Sequence, residues 1–150
     1  MSYNLEGTNS GFMSLSSGAV AAGTNAGTIQ NVAAVNYVFD AVFFQKAITN
    51  NIAVTRDTQV PAFTTVPVSS KCNFAFFLDA AGNVTASQGV IVAAGGVAPN
   101  APVVSGKTLF AVVSVVTNGS TTFVPGTTAF GAAGITSTFL NVMDMPGTNR

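Results

Sequence analysis

The sequence predicts a mainly β protein, a small antiparallel sandwich or barrel preceded by an extended N-terminal arm. Three observations carry that prediction: short β-branched and aromatic runs recur from Val32 onward, Gly, Pro, Asn and Asp separate them, and no helical stripe is sustained anywhere. With 150 residues the chain has the size of one domain.

Residues 1–31 are rich in Gly, Ser, Asn and Ala, with apolar points scattered without a period. Such a segment is expected to lie extended and to gain order against a partner, or else to be an ordinary loose terminus. A β core is expected over 32–143 and a short tail over 144–150. Within the core, strands are expected at 36–44, 51–55, 64–68, 72–78, 84–88, 108–116, 121–124 and 136–142. The runs 36–44 and 108–116 are apolar at most consecutive positions, which predicts cover on both faces: core on one, a second sheet or a partner on the other. Two hairpins are legible. Asp79, Ala80, Ala81, Gly82 and Asn83 follow the alternating Phe74, Phe76, Leu78, and Asn118-Gly119 lies between Val116 and Thr121. The stretch 94–102 reads as a long loop, and Gly and Pro punctuate 125–134.

Composition then narrows the chemistry. Charged residues are 7% of the chain, against about 25% in ordinary soluble proteins. The polar surface therefore falls to Thr, Ser, Asn and Gly, which suits packing against other protein. Five basic and five acidic residues cancel, and no Lys/Arg cluster exists, so the driving term for nucleic-acid binding is missing. Zero net charge also leaves little repulsion between copies. No charged region precedes an apolar one at the N-terminus and no apolar run is long enough to cross a bilayer, so the expectation is a chain of the cytoplasm with no membrane partner.

The chain contains no histidine, which removes the commonest general base and metal ligand. With Cys72 alone, neither a zinc set nor a Ser-His or Cys-His pair can be assembled within the chain. Cys72 opens an apolar strand and is read as a small buried hydrophobe. The acidic residues are Glu6, Asp40, Asp57, Asp79 and Asp144. Asp57 is expected to form an exposed pair with Arg56, Asp79 to start a turn, and Asp40, with Lys46 as its partner, is the one carboxylate that invites a functional guess against a plain strand position. Gly106-Lys107-Thr108 resembles the end of a phosphate loop, but Ala101 stands where that motif needs Gly. Asn83 and Asn118 match the glycosylation pattern, yet both stand in expected turns. No enzyme, cofactor or metal is expected. Of the twelve Phe residues, most lie in apolar strands and belong to core or subunit contact. The expected partner contacts are Leu5, Phe12, Met13 and Leu15 on the arm, with Phe63 and Phe130, which stand among polar or small residues.

Several segments resemble the head decoration, or cement, proteins of tailed bacteriophages. They are Val35-Asn36-Tyr37-Val38 with Gln45-Lys46-Ala47 and Asn50 to Thr55, the run Phe77 to Thr85, Gly106-Lys107-Thr108 with its following strand, and Ser120 to Thr128 with Gly134-Ile135-Thr136. Phe43 and Phe44 stand where that resemblance leads one to expect a more polar segment. It implies a structural virion protein on the capsid surface, assembled in the host cytoplasm, that binds the major capsid protein and reinforces contacts between its subunits. A homo-oligomer follows as an expectation, with a trimer as the favoured closed symmetry. The alternatives are a fibre, tail or spike component, in few copies per particle, and a module that binds host glycans through exposed Phe and Asn.

Overall fold

Cys72, Phe74, Phe76 and Leu78 fall two apart on one strand, so all four point to the same side, and all four are fully buried. They form the centre of the fold in a computed structural model, which describes residues 11–143. Among those residues the chain is all-β, in the order β1 (Phe12–Ser14), β2 (Val20–Ala22), β3 (Thr28–Asn31), β4 (Val35–Phe39), β5 (Val42–Lys46), β6 (Thr49–Ala53), β7 (Ser70–Leu78), β8 (Val84–Gln88), β9 (Val92–Ala93), β10 (Thr108–Thr117) and β11 (Ile135–Asn141). All strand pairs are antiparallel.

The expected small antiparallel sandwich is what forms. One layer is a five-stranded sheet in the order β11-β10-β7-β8, with the short β9 also on β7. Its inner face carries Phe74, Phe76, Ala111, Val113, Val115 and Ile135. Two three-stranded sheets, β2-β3-β6 and β1-β4-β5, supply the opposing side through Val20, Ile29, Ile52, Val35 and Tyr37. Both sides gain by removing apolar surface from water, at about 25 cal/mol per Å². The central β7–β10 pair runs from Thr108↔Leu78 to Val116↔Lys71, with a bulge between Leu109 and Ala111. A smaller cluster, Val60, Ala75, Phe77, Ala101 and Val104, covers part of the sheet's outer face under the connection after β9.

Several expectations need correction. The arm of residues 1–31 does not stand apart from the core over its described part. Phe12 to Ser14 pairs with β4, and β2 and β3 pair with each other and with β6. Strands this short lack the run of alternating residues that a sequence reading needs, and their registry comes from partners far along the chain. The run 36–44 is two strands, because Asp40 and Ala41 both take positive φ (49° and 61°) and fold it into a hairpin. Non-glycine residues seldom adopt that conformation, so the turn has no glycine signal. The runs 64–68 and 121–124 are not strands but touch through one bridge, Val66↔Phe123. Asn118-Gly119 does not close a tight hairpin. The Asn118 side-chain oxygen instead accepts from the backbone N–H groups of Ser120 (3.0 Å) and Thr121 (2.8 Å), and the chain returns to β10 only at Ile135.

That long connection sends Phe123 and Phe130 inward. They continue a chain of ring contacts, Phe63–Phe74–Phe123–Phe130–Phe139, with centroids 6.0, 5.8, 5.0 and 5.9 Å apart. Phe130 is 1% exposed, so it is core and not a partner contact. The small and polar residues around it in the chain belong to the turn, which hid the packing.

Candidate functional site

The β4–β5 hairpin fixes what the three-stranded sheet β1-β4-β5 presents to solvent. Tyr37 is buried, so its row Ser14↔Tyr37↔Phe44 faces the core; Phe12↔Phe39↔Val42, two residues along on the same face, lies at the rim, where Phe12 and Val42 are exposed. Phe44 stacks on Tyr37 at 5.7 Å, and Phe12 meets Phe39 edge-on at 4.9 Å. The intervening row, Met13↔Val38↔Phe43, faces outward. Asn36 and Gln45 share that face, with the Gln45 amide donating to Asn36 at 2.9 Å. Phe43 is 61% exposed. Of the two covers expected for run 36–44, the core supplies one, and no second sheet of this chain covers the other among the described residues.

A second apolar surface lies on the connection between β9 and β10, with Val90 just before β9. Val90, Val97 and Val103 are exposed, Val97 at 92%. The backbone around Val97 and Val103 is nonetheless held. Asn73 donates to the Ala98 and Pro99 carbonyls at 3.0 Å, Ser87 to Pro102 at 2.6 Å and Gln59 to Ser105 at 3.1 Å. Polar side chains of the scaffold satisfy the loop carbonyls, so the valines are displayed on a held frame and lose little freedom on binding.

The ionic chemistry is concentrated at Asp57, which is buried and not in the expected exposed pair with Arg56. Its carboxylate accepts from Lys107 Nζ (2.5 Å), Thr85 Oγ1 (2.8 Å) and the Gln59 backbone N–H (2.9 Å). Burial pushes its carboxyl up, but these bonds and the Lys107 charge outweigh burial and hold it below the usual carboxylate range. Lys107 is 19% exposed at its side chain. The cluster ties the segment after β6 to β8 and to the start of β10, and its oxygens are already satisfied. It is an anchor. Asp40 sits exposed in the β4–β5 turn, and its expected partner Lys46 donates instead to the Gly82 carbonyl at 2.9 Å. Cys72 is fully buried, as read from its strand, and burial raises its thiol. Among the described residues no three His, Cys, Asp or Glu side chains come together to hold a metal, and no helix is long and apolar enough to cross a membrane.

Of the six expected partner contacts, Phe12 is 37% exposed at the rim of the sheet and Met13 lies on its outer row. Leu15 is half-buried, its N–H bonded to Asn36 at 2.8 Å. Phe63 is half-buried against Phe74, and Phe130 is core. Leu5 lies outside the described residues. Phe43 is marked in the sequence only as a departure from the decoration-protein resemblance, and Val97 and Val103 are not singled out there. Isolated valines in a loop give no signal. Comparison with protein-family models, with curated proteins and with solved structures finds no match.

Proposed function

We propose that the chain is a structural virion protein that binds the outside of a phage capsid and stabilises contacts between major capsid subunits. The observation that carries an attachment role is the held loop before β10, which displays Val97 and Val103 on a backbone pinned by Asn73, Ser87 and Gln59. Fixed apolar groups on a surface nearly free of charge bind by shape and buried area, with little dependence on salt. Repetition over a lattice multiplies a modest contact through effective concentration. The capsid as partner is what the resemblance of 35–55, 77–85 and 106–136 implies.

The test is sedimentation of the purified chain with capsids that lack it, alongside its stoichiometry in purified virions. Copies in the hundreds, bound in a salt-insensitive way and lost in a Val97→Asp, Val103→Asp double variant, are the expected result. A handful of copies per particle would move the protein to the tail or fibres, and absence from particles would end the structural reading. A chain lacking residues 1–10 keeps every described strand and separates any contribution of Leu5 from that of the loop. Removing 1–31 would take β1, β2 and β3 with it and test folding instead.

A further inference from the structure

Strand β5 ends its sheet: among the described residues it pairs with β4 and with no other strand. In a hairpin closed by two turn residues, the flanking pair exchanges both backbone hydrogen bonds and the pattern alternates from there. Phe39/Val42, Tyr37/Phe44 and Val35/Lys46 are therefore the bonded pairs, and Phe43 and Gln45 direct their N–H and C=O groups to the free edge. Edge strands are usually blunted by proline, a bulge or an outward charge. β5 has no proline, its register on β4 is unbroken, and its one charge, Lys46, is turned inward to the Gly82 carbonyl.

We infer that β5 is the contact for a second copy of this chain, joined edge to edge as an antiparallel pair about a twofold axis through Phe44. That register sets Phe43 against Gln45 of the other copy, and Gln45 against its Phe43, so every outward N–H and C=O on those two residues is satisfied by an identical partner. Phe44 meets its own copy at the non-bonded position. Phe43 lies diagonal to its counterpart on the outer face, within reach for two aromatic rings. Lys46 falls opposite Val42, so no like charges meet, and a chain with five basic and five acidic residues adds no long-range repulsion. The result is one six-stranded sheet, β1-β4-β5 continued by its copy, with the row Met13, Val38, Phe43 doubled across it. A second copy is favoured over an unrelated strand because this one register satisfies both edges at once. The inference stands apart from the capsid reading.

The test is sedimentation velocity of the full chain from about 1 to 500 µM, a range that spans typical weak to moderate self-association, with amide exchange at low and high concentration. The expected result is a concentration-dependent dimer in which the Phe43 and Gln45 amides gain protection. Gln45→Pro removes an N–H that the monomer does not use, and by symmetry it deletes two of the four bonds. It should weaken the dimer at least about 30-fold and leave the melting temperature of the dilute protein near wild type. Phe43→Lys, which sets a charge on the outer row, should do the same. A monomer across the whole range, or a dimer insensitive to both variants, would overturn the inference. A monomer that still coats capsids would leave the proposed function standing, and a dimer that does not bind capsids would leave only the edge contact.

Discussion

The Asp57–Lys107 pair allows the two partners to be weighed against each other. The Asp57 side chain is 2% exposed and that of Lys107 19%, so the carboxylate is the group that cannot reach water if its partner is removed. Lys107→Met strands a buried charge and should cost about 3–5 kcal/mol at pH 7. Asp57→Asn leaves an ammonium that can swing into solvent, keeps an acceptor for the Gln59 N–H, and should cost only about 1–2 kcal/mol. The acid response separates them further. In the wild type the Asp57 carboxyl is held below its unfolded value, so its contribution is complete above about pH 4 and is lost as the pH falls from there toward the folded value. In Lys107→Met the bond and charge of Lys107 are gone while burial and the Gln59 and Thr85 bonds remain, so the folded value moves up and less stability is lost as the pH falls toward about 4. Urea titrations at pH 7, 5 and 4 measure both effects. An Asp57→Asn variant that loses as much as Lys107→Met, or a Lys107→Met variant that weakens with acid as the wild type does, would refute the reasoning.

Three further outcomes are expected. Ala41→Gly relieves a left-handed residue in the β4–β5 turn and should stabilise the chain by about 0.5–1 kcal/mol in thermal melts, after the entropy that glycine itself costs. Gly27→Ala would bring a Cβ to 2.3 Å from the Gly126 backbone at a positive φ, and should cost about 3 kcal/mol in urea, with the loop around Gly126 losing amide protection. Phe130→Ala should cost about 3–5 kcal/mol, whereas Phe12→Ala, at the rim, should cost roughly 1 kcal/mol, a contrast that chemical denaturation resolves directly.

The parts of the fold that were legible in the sequence are those where pattern and turn chemistry agree. β8 lies where it was expected, β7 and β10 are each extended by one or two residues, and the loop Asp79 to Asn83 joins β7 to β8 with the Asp79 carboxylate accepting from the Ala81 and Asn83 N–H groups. Legibility failed where backbone geometry had no residue marker. Asp40-Ala41 turns without glycine, and β1 to β3 take their pairing from β4 and β6 and not from their own periodicity. Asp57 was read from its neighbour Arg56, but its partner is Lys107, fifty residues on, and charge spacing along a chain says nothing about that distance. For the surface, Phe12 and Met13 were found by being apolar among small residues. Phe43 stands out in the sequence only against the resemblance, and its place in a one-sided apolar row was hidden because such a row exists only once register is known.

The connection from β10 to β11 carries two of the largest core side chains on a segment with almost no strand. Phe123 and Phe130 fill a space bounded by Phe74 on β7 and Phe139 on β11, and that space exists only after both strands have joined the sheet through β10. The hairpins β4–β5 and β7–β8 close locally and can form early, on microsecond scales. The connection can seat only after the slower pairing of strands distant in sequence, a step of milliseconds to seconds in β proteins. It therefore acts as a stopper: until it enters, the aromatic interior is open on one side, and it is in that interval that a newly made chain is most at risk of clumping.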